Sequence, residues 1–507
     1  MHHEDKPLTD TPPARATRRE WLALAVISLP CIVYAMDLTV LNLAIPSISK
    51  ELQPSASQLL WMIDIYGFMV AGFLITMGTL GDRIGRRKLL LWGAAGFALA
   101  SIVAAFAQTA AQLIAARALL GVAGATLAPS TLSLIRNIFQ DERQRQQAIG
   151  VWISSFSVGG AIGPLVGGVL IEYFHWSAVF WAAVPVMVLV LMVGPRLLPE
   201  YRDPAAGKMD LWSVGLSLWA VLAVVYGLKL ALEQGVGAAA AAAVAAGLAG
   251  AVVFWRRQRG LAYPLLDLSL FASRRFSVAL TVYALSSMAM FGVYIFIAQY
   301  LQEVAGLSPL LAGLATLPWA LSFIVGSMLT PRLTASFSAM QVFTGGLLVA
   351  AAGYAMQGAA LGGWGWLAIS FGSFWVGLGM APVFTLGNDI IVSSAPPERA
   401  GAASALSETV AELAGALGIA FLGSGGYWIY RQAVADRWPT DVDPAQMSHA
   451  GASLAGALDI SLALPHVQAA ALTAAARSAF AQATLWLLVV GCLASVVAAG
   501  VAWRRLR

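Results

Sequence analysis

Gly78-Thr-Leu-Gly-Asp82-Arg83-Ile-Gly85-Arg86-Arg87-Lys88 places five charged side chains within positions 82–88, between two long apolar runs, Gln58–Leu80 and Leu89–Ala107. A helix needs about 20 apolar residues to cross a hydrocarbon core of roughly 30 Å, and each run has that length. The charged stretch therefore reads as a tight turn at one membrane face, with Gly81 and Gly85 allowing the bend. Its excess of arginine and lysine places it on the inner side, where basic loops concentrate.

Outward from this turn the same alternation covers the chain. Further spans are expected near Trp21–Ile45, Ala110–Ile138, Gln147–Phe174, Ser177–Leu198, Leu211–Leu232, Ala238–Trp255 and Phe276–Val304. Pro309–Leu333, Met340–Gln357, Trp364–Val392, Ala400–Tyr430 and Phe480–Trp503 complete fourteen. Composition agrees: of 507 residues, 59% are hydrophobic and 11% charged, with a mean hydropathy of +0.77. A soluble domain carries roughly 25% charged residues, so soluble enzymes and disordered scaffolds are excluded. The long unbroken runs exclude an outer-membrane barrel, whose strands alternate over about ten residues. Cys31 and Cys492 both lie in apolar runs, leaving no disulfide framework and no expected metal site.

Charge asymmetry orients the helices. Of 30 lysines and arginines, 24 fall in segments this topology places inside and four in segments it places outside; Arg117 and Lys229 lie within spans. The net charge of +5 thus reports topology and contact with inner-leaflet lipids rather than nucleic-acid binding. The expected organisation is a cytoplasmic segment 1–20, a six-helix bundle 21–198, a two-helix linker with its loops 199–275, a second six-helix bundle 276–503 that includes an outer loop 431–477, and a cytoplasmic tail 504–507. The linker's second helix begins with the Ala-rich run Ala238–Ala246 and reads as filler. The outer segment reads as a surface loop with one Ala-rich helix.

A charged group at mid-bilayer costs about 2.5–3.5 kcal/mol even on lenient scales, so each one needs a cavity, a partner or a proton. The deep candidates are Asp37, Asp64, Arg117, Glu408 and Glu412. Asp37, sixteen residues beyond Trp21, lies roughly 24 Å along its helix, and Asp64 and Arg117 enter their helices from the opposite face to a comparable depth. Arg117 could equally be a fixed structural partner of Asp37. Trp61 and Phe68 flank Asp64 at i−3 and i+4, and Tyr34 and Trp319 are further candidate walls. A carboxylate beside aromatic faces suits a lipophilic cation. Glu408 and Glu412, at i and i+4, share a helix face, so burial and like charge disfavour ionising both. Such a pair can hold a proton and release it when a cation arrives. Lys229, Glu233 and Glu303 lie near helix ends and are expected to snorkel.

Four stretches resemble motifs of the major facilitator superfamily. The turn at Gly81, Asp82, Arg83, Gly85 and Arg86 resembles its loop between helices two and three, and Leu113-Ile-Ala-Ala-Arg117-Ala-Leu-Leu-Gly121 its fourth-helix arginine motif. Gly159-Gly-Ala-Ile-Gly163-Pro164-Leu-Val-Gly167-Gly168 resembles the fifth-helix antiporter motif. Asp37-Leu-Thr39-Val-Leu-Asn42-Leu-Ala-Ile-Pro46 resembles the first-helix motif of the fourteen-helix drug:proton antiporters, especially the quaternary-ammonium and methyl-viologen resistance pumps. The resemblance implies an all-α polytopic major facilitator fold of two six-helix bundles plus two extra central helices. It implies proton-coupled export of lipophilic cationic drugs, dyes and biocides (quaternary ammonium compounds, methyl viologen, chlorhexidine-like molecules) from the bacterial inner membrane, by a monomer with no cofactor and no enzymatic activity. It also implies that the Asp82–Arg86 loop gates the cytoplasmic side and that the fifth-helix glycines seal against a helix of the other half. Some such pumps carry an acid within the tenth helix; Pro309–Leu333 has none. The alternative is a proton-coupled carrier of a metabolite or nutrient on the same fold.

Overall fold

Thr17 starts the first helix: its backbone N–H donates to Glu20 Oε2 at 2.7 Å while its hydroxyl accepts from Arg19 N at 3.2 Å. Reciprocal caps of this kind satisfy amides that have no partner inside the helix. Ser55 and Gln58 repeat the device at the second helix, and Ser308 followed by Pro309 opens the tenth. The computed structural model describes residues 15–202, 210–235, 237–261, 264–266, 268–361, 365–394, 400–436, 451 and 453–505. The expected terminal segments 1–20 and 504–507, the linker loops and the outer segment lie partly outside the described residues.

Among the described residues, fourteen helices are long and apolar enough to cross a membrane. They are α1 Arg18–Leu52, α2 Ala56–Ile84, α3 Arg86–Ala105, α4 Ala110–Ile138, α5 Gln147–Tyr173, α6 Ala178–Leu197, α7 Leu211–Ala231 and α8 Ala238–Gly260. Then follow α9 Arg274–Val304, α10 Pro309–Ser336, α11 Ala339–Ala360, α12 Gly365–Ser393, α13 Leu406–Ala435 and α14 His466–Arg505. A turn at Ala125–Thr126 interrupts α4, and wide π turns occur at Tyr300–Val304 in α9 and Ile419–Gly423 in α13.

α1 packs along α5, and α2 along α4; in the second half α10 and α11 pack on α12, and α9 on α13 and α14. The two sets meet through α5 against α10 and α2 against α13. The spans of α1 and α2 are 72% buried, whereas α7 and α8 are 28% and 17% buried and pack chiefly on each other. The exposed apolar residues of that pair, Trp219, Tyr226, Leu248 and Val252 among them, form the surface a bilayer requires.

One expectation about the final third needs correction. α14 begins at His466, well before Phe480, because alanine is the strongest helix former and the Ala-rich run continues the helix. Arg477 therefore sits on that helix, its Nε donating to Glu303 O at 3.0 Å. A helix of the outer segment lies over Leu454–Leu462 and buries Leu454 and Ala457, and Tyr430 Oη donates to Ser453 O at 3.3 Å.

Asp210 joins α7 to α8. It caps α7 by accepting from Ser213 N at 3.2 Å and receives a fork from Arg257, Nη2 to Oδ1 at 2.9 Å and Nε to Oδ2 at 3.1 Å. Those hydrogen bonds from Arg257 hold the Asp210 carboxyl down at about 2. A depressed folded-state pKa stabilises the fold above the unfolded value, and the benefit disappears as pH falls through the folded one. The difference in unfolding temperature between wild type and Asp210→Asn should therefore be constant down to about pH 5 and close toward pH 2. Thermal scans of the detergent-solubilised pair across that range check it; a gap unchanged at the acid end refutes the assignment.

Candidate functional site

The acids predicted in the membrane fall into three settings. Asp37 on α1 and Arg117 on α4 form a buried ion pair, Nη1 to Oδ2. Arg117 also donates from Nε to Met62 O at 3.2 Å, and its guanidinium lies 4.6 Å from the Tyr66 ring centroid. One side chain thus ties α1, α2 and α4 together, a task suited to a planar fork of donors.

Asp64 on α2 meets a different cation. Lys229 Nζ, on α7, lies 2.7 Å from Asp64 Oδ2 and 4.1 Å from the Trp61 ring centroid. Lys229 is 2% exposed, so it does not snorkel to the interface. The reason is packing: α7 lies against α2, and the stem of a lysine reaches the nearest buried carboxylate instead of the headgroups. The two-helix insert is accordingly more than filler. Phe68, one turn further along α2, is sealed in an apolar cluster with Val225, Ala416 and Ala420 and takes no part in an open wall. Glu303 is likewise buried at 7% exposure rather than extended to the surface. The Glu233 side chain lies outside the described residues.

Glu408 and Glu412 lie half-buried on α13. Tyr34 Oη on α1 donates to Glu412 Oε1 at 2.8 Å, a contact between the two halves of the chain. Glu412 and the exposed Arg136 of α4 are the charges that act on Glu408. Among the described residues neither glutamate has an ion-pair partner of opposite charge. Around Tyr34 stand Tyr66 and Phe156, with ring centroids at 6.0 and 5.8 Å. These two aromatics escaped the sequence reading, since only helix packing brings α2 and α5 beside α1. Tyr66, two residues from Asp64 and therefore on another face of α2, carried no periodic signal. Trp319 lines a separate small cavity with Tyr294, Thr316 and Gln357.

The charged turn after α2 is tied to α4 and to the chain just beyond α6. Arg86 Nη2 meets Asp82 Oδ1 at 2.5 Å and its Nη1 donates to Pro129 O at 3.1 Å. Arg86 N donates to Tyr201 O at 3.0 Å, and Arg87 N to Glu200 Oε1 at 3.1 Å. Arg83 points into the exposed surroundings. Gly85 has φ +115°, and a Cβ there would lie 2.6 Å from the Glu200 carboxyl carbon. Only glycine fits this turn without strain.

The glycines of α5 correct an expectation. Gly159, Gly163 and Gly167 pack on α1, against Ile32, Thr39 and Val40, rather than on the other half. They share one stripe by their spacing of four; Pro164 and Gly168 lie one residue, about 100°, further round the helix. That second stripe faces α10. A Cβ on Gly168 would come within 2.7 Å of Pro309 O, and Glu172 Oε2 accepts from Leu310 N at 3.2 Å. The two halves close on each other here, at the end of the bundle remote from Arg18 of α1 and Arg505 of α14.

Among the described residues, fourteen membrane-length helices with buried ion pairs, small-residue seams and an acid bonded across the two halves describe a multi-pass membrane transporter. The model of the Major Facilitator Superfamily matches residues 28–419, and the chain belongs to that family. It is 43% identical over 505 residues to the multidrug efflux pump LfrA of Mycolicibacterium smegmatis, covering 99% of both chains. It is 34% identical over 472 residues to the methyl viologen resistance protein SmvA of Salmonella typhimurium, covering 91% of this chain and 93% of that one. Among solved structures, an inward-facing bacterial homologue of the human lysosomal transporter Spinster aligns over 97% of this chain and 99% of its own. The TM-score is 0.66 at 16% identity, a likeness of fold.

Proposed function

We propose that this protein is a proton-coupled antiporter that exports lipophilic cations across the bacterial cytoplasmic membrane by alternating access, as a monomer with both termini in the cytoplasm. One observation carries the reading. Asp37 and Asp64 are each paired directly with a cation of the protein's own, whereas among the described residues Glu408 and Glu412 form no ion pair, Arg136 acting on Glu408 only from beyond ion-pair distance. Negative charge without a counter-ion is costly in an apolar interior, so this pair needs either a proton or a visiting cation. Exchange of one for the other is antiport. Substrate then sits between the halves, near Tyr34 and Phe156, whose ring faces attract a cation. Arg117 fixes Asp37 and the helices around it. The α5–α10 seam closes the outer side, and the Asp82–Arg86 turn braces the cytoplasmic side. The domain division expected from sequence, with bundles at 21–198 and 276–503 around an insert, supplies the two rocking bodies. The efflux and resistance named for the two relatives accord with this chemistry.

The test is the direction of proton movement in proteoliposomes of the purified protein. Adding ethidium or a quaternary ammonium compound on one side should drive protons toward that side, with the cation moving the opposite way. Protons and a neutral or anionic metabolite moving together, with no response to the cations, would overturn the proposal.

A further inference from the structure

The ion pair between Lys229 and Asp64 has no part in the exchange proposed at α13, yet it is built with care. α7 runs antiparallel to α2, and side chains meet at each turn. Leu218 lies over Gly72, with its Cγ 2.9 Å from where a Cβ would stand, Val225 packs on Phe68, and Lys229 reaches Asp64. Gly72, lacking a side chain, lets the helices approach closely enough for the lysine to be held. The result places an ammonium 2.7 Å from a carboxylate and 4.1 Å above an indole face. Carboxylate plus aromatic face is the chemistry that receives a lipophilic cation; here the chain supplies the cation itself. Asp64 Oδ1 accepts no hydrogen bond and keeps an acceptor in reserve. Lysine is a point charge on four rotatable methylenes, and Lys229 also borders a small crevice with Ser57, Ser424 and Tyr427.

We infer that Lys229 is a tethered counter-cation: its ammonium occupies a second cation site made by Asp64 and Trp61, and a lipophilic monovalent cation enters that site by displacing it. The inference rests on the exporter reading and adds to it a site and a selectivity rule. Exchanging one positive charge for another leaves the buried charge of the site unchanged. A dication would leave an excess of one positive charge, so the lysine favours monovalent guests. It also weakens their binding, because each guest competes with a partner held at high effective concentration.

Tetraphenylphosphonium binding to the purified full-length protein, measured calorimetrically, tests this in wild type, Lys229→Met, Lys229→Arg and Asp64→Asn. Lys229→Met should bind at least about tenfold more tightly, Lys229→Arg within about threefold of wild type, and Asp64→Asn should lose the site. On the wild-type chain, saturating tetraphenylphosphonium should raise labelling of Lys229 by an amine-reactive reagent, read by mass spectrometry. The labelling decides the matter even where Lys229→Met fails to fold. Unchanged or weaker binding by folded Lys229→Met, or labelling that stays flat, overturns the inference. Asp64→Asn binding as tightly as wild type overturns it too, while leaving export through α13 standing. A wild-type protein that moves no lipophilic cation in proteoliposomes instead defeats the exporter reading itself.

Discussion

Replacing Arg117 by alanine is expected to destabilise the protein by about 3–5 kcal/mol, the loss typical when one member of a buried ion pair is removed. The guanidinium does three things at once: it neutralises Asp37, satisfies Met62 O and covers the Tyr66 ring. Without it, Asp37, 6% exposed, is left as a buried carboxylate that must take up a proton or draw water into the bundle. Arg117→Lys keeps the charge but loses the second hydrogen bond and the flat stacking surface, so it should fall between wild type and alanine. Thermal unfolding in detergent, followed by tryptophan fluorescence, gives the ranking. The double variant Arg117→Ala/Asp37→Ala should recover part of the loss, because no unpaired charge then remains. A double variant less stable than Arg117→Ala would mean that Asp37 has partners of its own and is not held by Arg117.

What the sequence disclosed and what it withheld follow a physical division. Span length, the inward bias of arginine and lysine, and deep acids such as Asp37, Asp64, Glu408 and Glu412 are local properties, and they suffice to locate fourteen helices and the acids within them. Partners are not local. Lys229 lies two residues before the end of the α7 span, where a lysine ordinarily turns to the headgroups; that it turns inward depends on α7 lying along α2, which periodicity cannot reveal. The same limit explains the α5 glycines. A spacing of four identifies a close-packed stripe, but a step of one residue decides whether that stripe meets α1 or α10. Phe68 illustrates the converse: it stands one turn from Asp64 as helix periodicity requires, yet it packs on Val225 and Ala416 rather than beside the carboxylate.

Glu412→Gln should abolish uphill transport while leaving the fold and the binding surface nearly intact. Glutamine keeps the length of the side chain and an oxygen able to accept the 2.8 Å hydrogen bond from Tyr34, but it cannot exchange a proton. Transport of ethidium driven by a pH gradient in proteoliposomes should fall at least about 10²-fold, the scale of loss when a positioned proton-transfer group is deleted. Counterflow of labelled for unlabelled cation, which needs no net proton movement, should persist. Tyr34→Phe provides the contrast. It removes a hydrogen bond of about 1 kcal/mol without touching the titrating group, so its rate should fall by roughly fivefold with the pH dependence preserved. Glu408→Gln separates the members of the pair. Among the described residues Glu408 makes no hydrogen bond or ion pair to α1, while Glu412 bonds directly to it, so proton exchange at Glu412 changes a link between the halves and exchange at Glu408 does not. If Glu408→Gln alone lost gradient-driven transport and Glu412→Gln kept it, the proton would ride on Glu408, and the Tyr34 contact would be a positioning bond with no share in coupling.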